Sequence, residues 1–586
     1  MTPVSGDSVP AGEQGPGDGP GDGGRGLGGS RHVDGDRDLG GGEPVLDVRG
    51  LTVAYGRTEV LRDVSFRLAA GERIGIVGQS GSGKSTTVGA VLGLLPGMGR
   101  VTRGTIAYRG EDITDASESR MRQLRGRSIA LVPQDPMTNL NPSMRVGDQI
   151  ADALRTYGVR GAEVTASVVR LMEEAGIGDA ERRRKQFPHE FSGGMRQRVL
   201  IAIALAGDPD LIIADEPTSA LDVTVQKQIL DHLQRLVDDR GMSLLFITHD
   251  LGVASDRTDR ILVMHDGEVV EDGPPAQVLF HPQDDYTARL IAASLTLAVP
   301  PQDEGAAVTG ASGAGGGDGA SGAVPDDAVL VVSDLTKLYR IRGRKEDLRA
   351  LDGVSFTAAR GKTTAIIGES GSGKSTTAKI VLGLETATSG TVVLDGTAAD
   401  SGSRADRSRL RRFTQPVFQD PYSSLNPTKT IERIVAEPLD VFRIGTRAQR
   451  RGRVSELLDQ VALPQSALQA KPGELSGGQR QRVAIARAIA SSPELLVCDE
   501  AVSALDVLVQ EQILDLLRSL QADLGLSCLF ITHDLAVVAD FAHDVVVMRA
   551  GQVVERGDVR TVIEEPAHEY TQSLIAAVPG EQLTRV

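Results

Sequence analysis

Apolar and polar positions follow one programme twice along this chain. Near the start of each half they alternate: Leu51, Val53 and Tyr55 fall on one face of an extended segment, the period of two that predicts a half-buried strand. A short apolar run, Ile74-Gly75-Ile76-Val77, then leads into a glycine-rich turn, and a helix is predicted from about Lys84. A polar, arginine-rich stretch over about 140–190 reads as helical. Two continuous apolar runs follow, Leu211-Ile-Ile-Ala-Asp215 and Leu244-Leu-Phe-Ile-Thr248. Runs without alternation suit parallel strands covered on both faces. The predicted class is α/β, with a parallel sheet core, a β lobe before it and a helical insertion.

Two segments carry no such pattern. Residues 1–44 are rich in Gly, Pro and Asp, and residues 300–327 include Gly-Ala-Ser-Gly-Ala-Gly-Gly-Gly. Neither holds enough large apolar side chains to offset chain entropy, so the first is expected to be disordered and the second a flexible linker. A linker of that length has an r.m.s. span of roughly 30 Å. The boundaries that follow are a first domain over 45–299 and a second over 328–586. No apolar run approaches the ~20 residues that cross a bilayer. The longest, near Val199–Ala206 and Leu290–Val299, read as core helices. The N-terminus lacks an apolar signal region, which leads us to expect a cytosolic chain serving any membrane process through a partner.

Composition narrows the picture modestly. Hydrophobic residues make up 40% and charged residues 24% of the 586, which is ordinary for globular protein. The formal net charge of −16 argues against wrapping nucleic acid and against direct insertion into anionic lipid. Cys498 and Cys528 each sit in an apolar run and read as small buried hydrophobes rather than a disulfide or metal site.

The candidate chemistry is duplicated. Gly78-Gln79-Ser80-Gly81-Ser82-Gly83-Lys84-Ser85-Thr86 recurs as Gly368-Glu369-Ser370-Gly371-Ser372-Gly373-Lys374-Ser375-Thr376. Glycines let the backbone curl so that its N–H groups face phosphate oxygens, and the helix that follows adds its positive end. Lys84 and Lys374 are placed to reach the β and γ phosphates, and Ser85 and Ser375 to ligate Mg²⁺. Asp215 and Asp499 end apolar strands, a position suited to holding that ion. Glu216 and Glu500 follow, where each can take a proton from an attacking water. Ser192-Gly193-Gly194 and Ser476-Gly477-Gly478 each open a helix, and a serine, two glycine N–H groups and a helix N-terminus make a second anion site. Since each half already has a phosphate loop, the serine loop is expected to serve the nucleotide of the other half. ATP would be sandwiched, with Lys84, Asp215 and Glu216 facing Ser476, and Lys374, Asp499 and Glu500 facing Ser192.

These motifs, with Gln134 and Gln419, Ser-Ala-Leu-Asp at 219–222 and 503–506, and His249 and His533, resemble in order a fused tandem of ATP-binding-cassette (ABC) ATPase domains. The resemblance covers roughly 45–295 and 328–580. It implies two P-loop NTPase (RecA-like) domains, each with an antiparallel β lobe and a helical subdomain. It also implies that Tyr55 and Tyr339 stack on adenine, that Gln134 and Gln419 sense Mg²⁺ and the attacking water, and that His249 and His533 contact the γ phosphate. The segments Gln134-Asp-Pro-Met-Thr-Asn-Leu-Asn-Pro142 and Gln419-Asp-Pro-Tyr-Ser-Ser-Leu-Asn-Pro427, and the tails His281-Pro-Gln-Asp-Asp-Tyr-Thr287 and Glu565-Pro-Ala-His-Glu-Tyr-Thr571, resemble the dipeptide, oligopeptide and nickel importer ATPases. That likeness implies a motor on the cytoplasmic face of the membrane, two separate integral-membrane permease subunits and, indirectly, an extracytoplasmic solute-binding protein. An exporter motor shares the cassette. So does a soluble ABC-F translation factor, although the Gly/Ala-rich segment between the halves and the acidic balance fit that reading poorly. Met195 and Ala501 stand where Gln and Pro are usual. Neither removes a phosphate donor, metal ligand or base, so two competent sites are expected.

Overall fold

The computed structural model describes residues 44–218, 221–294, 327–340, 347–400, 403–503 and 505–580. Apart from Pro44 and Asp327 at their edges, the segments 1–44 and 300–327 lie outside these residues.

Each half is built on two sheets. In the first half the alternating segment Leu46–Tyr55 pairs antiparallel with Thr58–Leu68 on one side and Gly99–Tyr108 on the other. Glu111–Asp112 completes this four-stranded lobe. The larger sheet has six strands in the order Glu268–Gly273, Arg260–His265, Arg73–Val77, Ser243–Ile247, Leu211–Asp215, Ile129–Val132. Its central pairings are parallel, and only the Glu268–Gly273 edge runs antiparallel. The second half repeats both sheets with the same strand order, its larger sheet centred on Thr363–Ile367, Ser527–Ile531 and Leu495–Asp499.

The continuous apolar runs are the central strands, as their composition requires. Leu211 through Ala214 and Leu495 through Cys498 are fully buried, while the last residue of each strand, Asp215 or Asp499, is only partly so. Side chains on one face of Leu211–Asp215 join the β lobe core with Leu51, Leu61 and Ile76, and those on the other join the helical core with Val199 and Ile229. Each buried Leu or Ile contributes about 2 kcal/mol. A register slip would exchange those faces and is strongly disfavoured.

The arginine-rich stretch forms Val146–Thr156, Glu163–Glu174 and the short Ala180–Arg183, packed against Gly193–Ala204. The run near Leu290 lies on the helix Asp285–Ala293, and residues 295–299 fall outside the described part. Among the described residues no helix is long and apolar enough to cross a membrane. Cys498 and Cys528 are buried free thiols. The Cys528 hydrogen bond, burial and the negative charge nearby hold the Cys498 thiol well above its ordinary pKa.

Candidate functional site

The phosphate loops are shaped by their glycines. Gly78 has φ 152°, and a Cβ there would lie 2.2 Å from the Met264 carbonyl oxygen; Gly368 repeats this against Met548. The turn closes on itself, with Lys84 Nζ donating to the carbonyls of Gly78 (2.6 Å) and Gln79 (3.0 Å), and Lys374 doing the same to Gly368 and Glu369. Burial pulls the Lys84 ammonium below its ordinary pKa, against the opposing charges of Glu216, Asp506 and Asp215. Lys374 is lowered by burial too, opposed by Glu500, Asp222 and Asp499. The hydroxyls of Ser82 and Ser372 are buried without a partner, a configuration that costs free energy unless an incoming group satisfies them.

Asp215 and Asp499 stand beside the first helical serine of each loop. Ser375 Oγ donates to Asp499 Oδ1 at 3.4 Å, and Ser85 bonds Asp215. Burial and the charge of the neighbouring glutamate raise both aspartates. A cation beside them would relieve that repulsion, so the donor set fits a divalent ion.

Glu216 and Glu500 adopt left-handed backbone, φ 44° and 51°, a conformation that costs a non-glycine residue about 1–2 kcal/mol. Their N–H groups donate to Ile247 O and Ile531 O. This geometry turns each carboxylate onto two partners. Gln134 Nε2 donates to Glu216 at 2.8 Å, and His249 Nδ1 lies 3.3 Å from it; Gln419 Nε2 donates to Glu500 at 2.6 Å, and His533 Nδ1 lies 3.5 Å from it. Burial disfavours both charged forms, yet each histidine is net raised and each glutamate net lowered by the other. The result is an ionised carboxylate.

The halves meet over these groups. A cavity of about 670 Å³ is lined by Ser80, Gly81 and Gly83 to Thr86 of the first phosphate loop, by Gln134, Glu216, Leu221, Asp222 and His249, and from the other half by Ser370, Gln419, Glu500, His533, Ser503, Leu505 and Asp506. A second, of about 160 Å³, holds both histidines together with Asp250 and Asp534. Neither Ser476 nor Ser192, expected opposite Lys84 and Lys374, is among the residues lining that cavity. Both serines are exposed and cap their own helices, Ser192 Oγ accepting from Met195 N and Ser476 Oγ from Gln479 N. The following glycines face Leu221 and Leu505 of their own halves, and those leucines line the cavity. An aspartate of the opposite half acts on the charge of each lysine, Asp506 on Lys84 and Asp222 on Lys374. Neither tyrosine expected at adenine lines the cavity. Tyr55 packs on Gly99, and Tyr339 lies under Lys337 Nζ at 4.9 Å.

The sequence reading missed two groups of residues. Asp222 and Asp506 belong to the repeated Ser-Ala-Leu-Asp motif, whose duplication was the available signal. Tyr286 and Tyr570 belong to the two Tyr-Thr tails. Each is buried with its hydroxyl accepting from a phosphate-loop amide, Gln79 N or Glu369 N, at 3.0 Å.

Known proteins resemble this chain over most of its length. The sequence profile described as "ABC transporter" matches residues 61–219 and 351–503. The glutathione import ATP-binding protein GsiA of Salmonella paratyphi A is 40% identical over 91% of this chain and 89% of its own length. The oligopeptide transport ATP-binding protein OppD of Mycobacterium tuberculosis is 42% identical over 92% and 98%. Among solved structures, the dimeric ATP-binding cassette MJ0796 bound to ADP and Pi aligns at 33% identity over 39% of this chain and 99% of its own, with a TM-score of 0.37. The chain belongs to the ABC transporter family, and it carries two of that family's ATPase domains in one polypeptide.

Proposed function

We propose that this chain is the ATP-hydrolysing subunit of a membrane importer for peptides, the substrate class named by its relatives. The carrying observation is the duplicated cluster in which a glutamate, held by a glutamine and a histidine, stands behind a phosphate loop that faces an acidic turn of the opposite half. Lys84 and Lys374 would exchange their loop carbonyls for phosphate oxygens, and Ser82 and Ser372 would gain the partners they lack. Ser85, Asp215 and Gln134, and likewise Ser375, Asp499 and Gln419, would hold Mg²⁺, which supplies charge neutralisation at the transferring phosphate. Glu216 and Glu500, ionised in place, would accept the proton of the attacking water. His249 and His533 would fix those carboxylates and meet the γ phosphate. Ser192 and Ser476, with their glycines, would join the opposite nucleotide when the halves close further, a two-state movement biased by γ phosphate.

The segments after Gln134 and Gln419 support docking to permease subunits. Each begins a short helix, and each carries an exposed apolar side chain, Met137 at 63% and Tyr422 at 59%. We place the chain at the cytoplasmic face of the membrane with two permeases and, indirectly, a solute-binding protein. Glu216→Gln and Glu500→Gln test the chemistry. Each change alone should lower ATP turnover and the pair should abolish it while ATP still binds. Turnover unaffected by the double change would refute the assignment. Isolation of the double variant with two multispanning subunits would support the transport role, and isolation with ribosomal subunits alone would overturn it.

A further inference from the structure

The two interfaces between the halves differ at one contact, through both of its residues. Thr224 lies in the first turn of the helix Val223–Arg240, just after Asp222. Its hydroxyl is 2.9 Å from Asp222 Oδ1 in its own half and 2.8 Å from Glu369 Oε1 in the phosphate loop of the other half. A hydroxyl has one proton to donate, so it can satisfy only one of these two carboxylates at a time, one on each side of the interface. At the matching interface Leu508 replaces Thr224 and Gln79 replaces Glu369. Leucine donates nothing, and Val507 and Leu508 instead pack on the apolar cluster around Tyr286 and Leu290. Two further bonds cross between the halves. Lys227 Nζ donates to Ala576 O at 2.7 Å, and Gly580 N donates to Asp256 Oδ2 at 2.8 Å.

We propose that Thr224 is a positioning residue for the second nucleotide site, holding the phosphate loop around Lys374 from the opposite half and thereby making the two sites unequal. The inference rests on the reading of both loops as ATP sites. When the halves are together, the Thr224 proton is available to Glu369, and the loop that carries Glu369 is tied to the opposite helix. When they part, the proton falls back on Asp222 and Glu369 loses its tie to the opposite helix. Among the described residues the first loop shows no matching bond, since Leu508 has no proton to donate. Nucleotide held by Lys374 should therefore leave more slowly than nucleotide held by Lys84.

The test uses the full chain and the fluorescent probe mant-ATP in stopped-flow release. Lys84→Ala leaves the second site as the binding site, and Lys374→Ala leaves the first. Thr224→Val keeps the shape and removes the proton. It should speed release from the second site about tenfold, the order expected for a hydrogen bond to a charged group, and leave the first unchanged. Thr224→Ser should restore slow release. Added to Glu369→Gln, Thr224→Val should give less than the sum of the two effects. An equal change at both sites, or none at either, overturns the proposal. A wild-type chain that binds no mant-ATP at either loop overturns the ATPase reading as well, which separates the two failures.

Discussion

Replacing Tyr286 or Tyr570 by phenylalanine isolates a single hydrogen bond on a phosphate loop. Both rings are buried, at 3% and 4% exposure. Tyr286 stacks on His265 with centroids 4.0 Å apart, and Arg549 lies 4.8 Å over Tyr570. Phenylalanine keeps those contacts and leaves no cavity beyond one oxygen. What it removes is the acceptor for Gln79 N or Glu369 N, each 3.0 Å away. A partly buried donor left without its acceptor costs about 1–2 kcal/mol. The cost falls on the loop that must present its amides to phosphate, so it should appear as roughly five- to thirtyfold weaker ATP binding at that site. Burial, with the charges of Glu369 and Asp222, pushes the Tyr570 hydroxyl up to about 12, against the bond from the Glu369 amide. It therefore stays neutral at every pH where the chain would be assayed, and the loss should not vary with pH between 6 and about 9. Equilibrium binding of mant-ATP to Tyr570→Phe in a Lys84→Ala background measures it directly. Wild-type affinity in that variant would refute the positioning role of the hydroxyl.

Three other outcomes follow from the same structure. Gln479 Oε1 accepts from Ser476 N at 3.0 Å, whereas the weak thioether acceptor of Met195 is engaged by Arg183 Nη1 at 3.3 Å, so Met195→Gln should stabilise the first signature helix by about 0.5–1 kcal/mol, read as a higher denaturation midpoint; an unchanged midpoint would count against it. Gly368→Ala drives a Cβ to 2.1 Å from Met548 O in left-handed backbone and should abolish nucleotide binding at Lys374 while sparing Lys84, checked by photocrosslinking of azido-ATP followed by peptide mapping. The His249 and His533 pKa values are raised in the folded chain and those of Glu216 and Glu500 are lowered. The histidine contribution is therefore full below the unfolded value near 6.5 and is lost as pH rises through the raised value, whereas the glutamate contribution is lost as pH falls through the lowered one. A pH series of melting temperatures should slope downward as pH rises above about 6.5, and His249→Gln with His533→Gln should flatten it.

Local chemistry was legible in the sequence because it is carried by short spans. Leu211–Asp215 announces a buried strand with an acid at its end, and Gly78–Ser85 announces an anion cradle, whatever the rest of the chain does. Even the left-handed Glu216 could be named, though not its strain, which depends on the Ile247 carbonyl that captures its N–H. Contacts between the halves depend on residues far apart in the sequence. Asp506 lines the cavity beside Lys84, and Ser476 caps its own helix. The tails illustrate the same limit. Tyr286 and Tyr570 stood out as family marks, yet their bonds to loop amides some 200 residues away exist only once the sheet has folded.

Fusion of the two cassettes changes what mutation can achieve at their junction. In an assembly of two identical chains, any substitution is copied by symmetry to both faces, so a threonine gained on one side appears on the other. Here the residue at 224 and the residue at 508 are separate letters of one gene product. One face has kept a proton donor and the other a greasy side chain. A single polypeptide is thus free to evolve a lead site and a following site, and to give the order of firing a direction.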